Sequence, residues 1–356
     1  MTNILPTQQV ADTGACLRSC ATAFHTAFER AVRTTKVRRE HCFSIGGHRV
    51  KLRFASEALA SQLTRAFAHL HSAPGAAELE VELWEGRDGA PPALPESWMQ
   101  ARYFPRGRLP GMEHPDLRLV VLPGATSLSL LDLTSDRGWY CAADAAKVAY
   151  WESASPLRSL LHAWLSRRNI FLLHAAAIGD EKGAVLLVGK GGSGKSTTAL
   201  LGLSAGMQFL GDDFCLAEMP GGRPVVHACY SSAKVCNDAL PRLNTFRARP
   251  GNPDRPPDEK AVFFLSGTHG AQLPQHLPVR AILLPHVALD RPVGLEPVSS
   301  GRALTALSPS TIMQLPDADR NDLAFHAALA KSIPAYRLSL NTDDASVLAA
   351  IKEVLR

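Results

Sequence analysis

Four residues carry the first chemical signal. Gly189, Gly194, Lys195 and Ser196 stand in the pattern glycine, four residues, glycine-lysine-serine, at the head of GKGGSGKSTTALLGLSAGMQFLGDD, residues 189–213. Small side chains at this spacing let backbone N–H groups turn inward around phosphate oxygens, and the helix that follows adds its positive end. Lys195 supplies a mobile charge, and the Ser196 hydroxyl is a ligand type for Mg²⁺. The expected nucleotide contacts are Gly189, Lys190, Gly191, Gly192, Ser193, Gly194, Lys195, Ser196 and Thr197. Asp212 and Asp213 close a short apolar run seventeen and eighteen residues after Lys195. Two carboxylates so placed suit a metal ligand and a proton acceptor. The combination points to a protein that binds a nucleoside triphosphate and moves its γ-phosphoryl group.

Other polar residues are more open. His174 lies fifteen residues before Gly189 in an apolar, strand-like run. It reads equally as a satisfied core histidine or as a site residue. Lys234 and Lys260 are candidate contacts to an acceptor or a phosphate, set against a plain reading as surface lysines. Arg242, Arg247 and Arg249 either receive an acidic peptide or form a solvated face.

The flanking elements supply the context that a phosphate loop requires. Ala184 to Val188 reads as a buried strand feeding the loop, Thr197 to Ser204 as the helix after it, and Met207 to Leu210 as a short strand delivering the acids. Upstream, Phe171 to Ile178 reads as one strand and Asp180 to Gly183 as a turn. A helix from Pro156 to Arg168, with Ser155 as N-cap and Pro156 in the first helical position, links the two halves. Residues 250–258, PGNPDRPPD, are too rich in proline for regular structure and read as a mobile loop. Val279 to Leu284 is another apolar strand. A last helix runs from Asp344 to Leu355, with Asn341 and Thr342 as capping candidates.

The first half reads as α+β. A helix over Ala15 to Val32 precedes a hairpin, Phe43 to Phe54, that turns at Gly46-Gly47. Leu59, Leu63, Phe67 and Leu70 fall at helical spacing. Leu79, Val81 and Leu83 alternate with Glu80 and Glu82, the pattern of a strand with one wet face. Residues 86–115 read as loop, and Leu117 to Leu122 and Ser127 to Leu133 as strands. The expected division is therefore an N-terminal arm or helix over residues 1–40, an accessory α+β unit that selects the acceptor over 41–154, and a catalytic unit over 155–356.

At 356 residues, with 46% hydrophobic and 20% charged content, the chain is of ordinary globular type. A net charge of +5 suits acidic ligands, and no basic stripe interleaved with aromatics points to nucleic acid. Seven cysteines form no evident framework or zinc pattern, which suits a reducing compartment. The N-terminus lacks the features of a signal peptide, and no apolar run approaches the roughly 20 residues of a membrane span. The expectation is a cytoplasmic protein without a membrane or nucleic-acid partner. Self-association into a homo-oligomer stays open.

His174, the loop 189–196 and the pair Asp212-Asp213 together resemble the catalytic domain of bacterial HPr kinase/phosphorylase. The resemblance covers roughly residues 155–240. It implies an α/β fold whose C-terminal part is a phosphate-loop nucleotide-binding domain, akin to the core of phosphoenolpyruvate carboxykinase, beside a smaller α+β N-terminal domain. It implies ATP and Mg²⁺ as cofactors and a serine hydroxyl on a peptide or small protein as acceptor. Carried over by position, Asp212 is the acid/base toward the attacking hydroxyl, and Asp213 and Ser196 stand by the metal. His174 hydrogen-bonds and orients the acid, and Lys195 clamps phosphate. No counterpart of the glycine-rich segment that accompanies the family's phosphorylase activity is present, so the resemblance does not extend to the reverse reaction. The whole chain is more similar to the shorter HPr-kinase-like enzymes of ribosomal peptide biosynthesis, some of which phosphorylate lasso-peptide precursors. Two alternatives stand beside this reading: a kinase for a small metabolite, and a nucleotide-responsive protein that binds a peptide without modifying it.

Overall fold

The chain is a mixed α/β protein whose described residues form two large sheets and a separate two-stranded one. The computed structural model describes residues 7–88, 114–122, 126–243, 246–316 and 318–356, with side chains from residue 19 onward. Most of the loop expected over 86–115 lies outside the described residues.

The first sheet holds β1 (Arg39–Ile45), β2 (His48–Phe54), β3 (Leu79–Glu85), β4 (Leu117–Leu122), β5 (Ser127–Asp132) and β6 (Arg137–Ala142), in the order β1-β2-β3-β6-β5-β4. The hairpin β1-β2 turns on Gly46 and Gly47, whose φ angles of 59° and 81° are those of a two-residue turn matched to strand twist. The helix expected over Leu59 to Leu70 is α-helical only over Glu57–Thr64 and tightens to 3₁₀ over Arg65–Leu70.

The expected wet face of β3 is in fact covered. β3 is a central strand, and the helix Thr7–Thr35, longer than the predicted Ala15 to Val32, lies across it. Phe24 and Phe28 of that helix meet Trp84 edge-on at 5.9 and 6.3 Å. Glu82, 1% exposed, survives burial because four donors converge on it. His25 Nδ1 and Arg53 Nη1 lie at 2.8 Å, Trp139 Nε1 at 2.9 Å and Arg137 Nη2 at 3.2 Å. Alternation in sequence cannot tell a solvated carboxylate from one whose partners arrive from other elements.

A short helix, Tyr150–Ala154, and the helix Arg158–Ser166 connect the sheets. The predicted cap at Ser155-Pro156 is not formed. The chain turns instead through Leu157 at φ 58°, and the amide there donates to the Glu152 carboxylate at 3.2 Å. The Pro156 carbonyl accepts from the Tyr230 hydroxyl at 3.0 Å. One local partner, Glu152, and one distant partner, Tyr230, override the capping signal.

The second sheet contains β7 (Phe171–Leu173), β8 (Ala176–Asp180), β9 (Gly183–Leu187), β10 (Gln208–Gly211), β11 (Cys215–Glu218) and β12 (Val225–His227). A separate pair is β13 (Ser232–Val235) with β14 (Ala261–Phe264). The second sheet is completed by β15 (His276–Val287), β16 (Gly294–Pro297) and β17 (Ala335–Leu340). β15 joins its two halves: its start pairs antiparallel with β12, and its later residues pair parallel with β9 and β17. Residues 250–258 form no regular element beyond a bridge from Pro250 to Phe263, and Asn252 ties them to the carbonyl of Lys260 at 3.0 Å. The C-terminal helix Asp344–Leu355 is capped by Asp343, one residue past the expected pair, while Asn341 accepts from the Asp343 amide. One continuous hydrophobic core runs from Phe43 and Phe67 of the first half through Trp164 to Leu172, Leu216 and Leu307 of the second.

Candidate functional site

The predicted strand Phe171 to Ile178 is two strands, and the interruption between them builds the site. β7 pairs antiparallel with β11, Leu173 opposite Cys215, and β8 pairs with β10, Ala177 opposite Gly211. Four residues forward on one side match four residues back on the other, so these two pairs that border the gap share one register, which shifts by one residue farther out, between Gly211 and Phe209. His174 breaks the first strand through a tight turn, with the Ala175 amide donating to the Leu173 carbonyl at 2.9 Å. Asp212 and Asp213 lie in the matching gap of the facing chain. His174 and the acids are therefore brought together by strand pairing on both flanks, a proximity the turn at residues 180–183 did not foretell.

Within the gap the two acids have different surroundings. Asp213 Oδ2 lies 2.6 Å from Lys234 Nζ, and Oδ1 lies 3.2 Å from His174 Nε2. Burial pushes the Asp213 carboxyl up, but Lys234 and His174 outweigh it and hold the group well below the usual carboxylate range. Asp212 is 1% exposed, and its Oδ2 accepts from the Lys234 backbone amide at 2.8 Å. Burial, then the charge of Asp213, raises the Asp212 carboxyl; the Lys234 amide and the Ser196 hydroxyl pull it the other way. Asp212 Oδ1 makes no hydrogen bond of ordinary geometry. The bond expected between His174 and Asp212 is thus made to Asp213, while the buried Asp212 carboxylate takes the Lys234 backbone amide.

The glycine-rich loop follows β9 directly. Gly189, Gly192 and Gly194 take φ angles of 140°, 78° and 99°, which let the backbone fold back on itself. The helix Lys195–Ser204 starts two residues earlier than predicted, so Lys195 and Ser196 form its first turn. Lys195 is buried, and its ammonium donates to the carbonyls of Gly189 at 2.6 Å and Lys190 at 3.2 Å. Burial lowers the Lys195 ammonium, against the attraction of Asp212 and Asp213. The Ser193 hydroxyl is buried without a hydrogen-bond partner.

A cavity of about 280 Å³ brings these groups together. Its walls include residues 191–198, His174, Asp213, Lys234 and Lys260, with Leu201, Val287, Leu340 and Val347 as an apolar side. Gly189 and Lys190 form the neck of the loop outside the lining, and the Asp212 side chain lies behind the wall. Lys260 stands close enough for its charge to lower the Lys195 ammonium. Arg242 lines the rim and is paired with Asp344, while Arg247 lines a separate pocket with Ser204 and His269. Arg242 and Arg247 therefore do not share one basic patch. Sequence reasoning missed Thr311 and Gln314, which hold His174 from 137 and 140 residues away and carry no motif. Among the described residues, no helix is long and apolar enough to cross a membrane.

No protein-family model matches the chain, and no curated protein matches it. Among solved structures the chain is similar to the HPr(Ser) kinase/phosphatase from Coxiella burnetii, with 11% sequence identity and a TM-score of 0.29, over 51% of this chain and 94% of that one. A likeness of that size carries no argument about this chain, whose own residues must support any functional reading.

Proposed function

We propose that the protein is an ATP-dependent phosphotransferase that moves the γ-phosphoryl group to a hydroxyl, with serine on a peptide or small protein as the acceptor. The observation that carries this reading is the meeting, in one cavity, of the loop residues Lys195 and Ser196 with the acid Asp213 and its clamp of Lys234 and His174. Phosphoryl transfer needs positioning and charge neutralisation more than covalent chemistry, and these groups supply both. The loop and Lys195 cradle phosphate, and Ser193 offers an unspent hydroxyl to a phosphate oxygen. Asp213 faces the cavity as a carboxylate, aims the attacking hydroxyl oxygen at the γ-phosphorus and takes its proton as the new O–P bond forms and ADP leaves with the bridging oxygen. Lys234 and Lys260 add positive charge around the transferred group.

The donor set fits Mg²⁺ at Ser196 and Asp212, since the Asp212 Oδ1 atom is buried and unpartnered and the Ser196 hydroxyl stands by the same carboxyl. A magnesium ion there would neutralise charge on the nucleotide phosphates. This assigns the metal to Asp212 and the hydroxyl to Asp213, the reverse of the division that the family resemblance implies. An HPr-kinase-like nucleotide domain over 155–356, an acceptor-selecting unit over 41–154 and an arm over 1–40 belong to the same proposal, as does a lasso-peptide precursor as the particular acceptor.

Mass spectrometry after incubation with ATP, Mg²⁺ and a panel of serine-containing peptides tests the reading. Gain of one phosphate by a peptide supports it, and gain by metabolites alone moves the acceptor to small molecules. Nucleotide-dependent peptide binding at unchanged mass sinks it. Asp213→Asn is expected to abolish transfer with ATP binding retained, and Asp212→Asn to weaken Mg²⁺ dependence.

A further inference from the structure

His174 uses its two ring nitrogens on two different partners. Nε2 lies 3.2 Å from Asp213 Oδ1, and Nδ1 lies 3.1 Å from Gln314 Nε2. An ionised carboxylate only accepts, so Nε2 must carry a hydrogen. The amide nitrogen of glutamine only donates, so Nδ1 must present its lone pair. One neutral tautomer meets both demands. The backbone beneath is fixed by the same region of the chain. The His174 amide donates to Thr311 Oγ1 at 3.0 Å, and that hydroxyl spends its own hydrogen on the Leu307 carbonyl at 3.0 Å. Phe214 packs on the ring at 5.5 Å. Thr311 lies in the last turn of the helix Ser300–Ile312, and Gln314 follows it two residues past its end.

We propose that Gln314 is a positioning residue that selects the tautomer of His174, so that Nε2–H is always aimed at Asp213 and the Asp213 carboxylate is held toward the cavity. His174 has no other partner at Nδ1 among the described residues, so without Gln314 only Asp213 favours hydrogen on Nε2, and the form with hydrogen on Nδ1 gains population. The choice of tautomer stands on geometry alone; only its catalytic consequence rests on the phosphotransferase reading.

Nitrogen-15 NMR of protein labelled at the histidine rings, with the His174 signals assigned through His174→Asn, reads the tautomer directly. The expected wild-type spectrum shows hydrogen on Nε2 and a lone pair on Nδ1. Gln314→Leu keeps the size and removes the donor, and should move both signals toward the averaged positions of mixed tautomers. Gln314→Glu replaces the donor with an acceptor and should draw a hydrogen to Nδ1 without removing the one that Asp213 holds on Nε2. Gln314 is half-buried at a helix end, so both variants are expected to keep the other histidine signals and the circular dichroism of the wild type. A wild-type ring carrying hydrogen on Nδ1, or a Gln314→Leu spectrum identical at His174, overturns the proposal. In the transfer assay Gln314→Leu should lower kcat by about tenfold or more with little change in KM for ATP. If the wild type transfers phosphate to no acceptor, the functional reading falls while the tautomer result still decides the role of Gln314.

Discussion

Replacing Lys234 with methionine tests the clamp at the centre of the site. The lysine stem packs in a buried strand and the ammonium meets Asp213 Oδ2 at 2.6 Å, with side-chain exposures of 9% and 20%. At that distance and an effective dielectric of about 20, the attraction is about 6 kcal/mol. Part is offset by taking both charges from water, yet removing one partner strands the other, which typically costs about 3–5 kcal/mol. Lys234→Met is therefore expected to lose about 3 kcal/mol of stability at neutral pH, since Asp213 keeps some solvent and its bond to His174. Asp213→Asn with Lys234→Met should recover part of the loss, with a coupling energy of about 2 kcal/mol. The sign with pH comes from the depressed Asp213 carboxyl. Its contribution is present above the unfolded value of about 4 and is lost as pH falls toward the folded value. The deficit of Lys234→Met should thus be largest near pH 7 and shrink steadily toward pH 3. Guanidinium denaturation at several pH values measures this. A loss under about 1 kcal/mol at pH 7, or a deficit that grows as pH falls, would refute the electrostatic account of the pair.

The same geometry sets three further outcomes. Lys195→Ala removes the ammonium that bridges the Gly189 and Lys190 carbonyls, so ATP affinity by calorimetry and transfer rate should fall together. In Gly194→Ala the new Cβ meets Leu340 Cδ1 at 2.5 Å on a backbone at φ 99°, so the melting temperature should drop by the equivalent of about 1–3 kcal/mol. Glu152 is fully buried, with one carboxylate oxygen unpartnered, and burial raises its carboxyl against the pull of Arg158. A raised folded-state value favours the native state at low pH and is lost as pH rises, so Glu152→Gln should raise the melting temperature more at pH 8 than at pH 5.

The parts of this site that were legible in the sequence are those made by neighbours along the chain. The loop, its helix and the acids after the next strand are local, and Gly46-Gly47 forms the turn that its residues require. What could not be read depends on partners far away. Residues 171–178 look like one strand because every residue but His174 is apolar, and only the facing β10 and β11 reveal the break. Ser155-Pro156 has the chemistry of a helix start, yet Tyr230, 74 residues on, holds the Pro156 carbonyl in another path. Glu82 looks solvated until His25, Arg53, Arg137 and Trp139 are placed. Gln314 stands 140 residues from His174, and no local pattern marks its amide.

The matched register on either side of the acids bears on how the protein breathes. Because β7-β11 and β8-β10 continue one another across the gap, the acids are anchored at both ends and cannot swing out as a loop tip does. Opening the site requires fraying a paired flank, whereas the His174 amide depends on a side chain, Thr311, and the Ala175 amide on a tight turn of its own chain. Deuterium uptake along this stretch should be uneven, with slow exchange over 171–173, 177–179, 208–211 and 215–217 framing a fast window in between. The site then works by side-chain adjustment inside a stiff frame, and substrates must come to the acids because the acids do not travel.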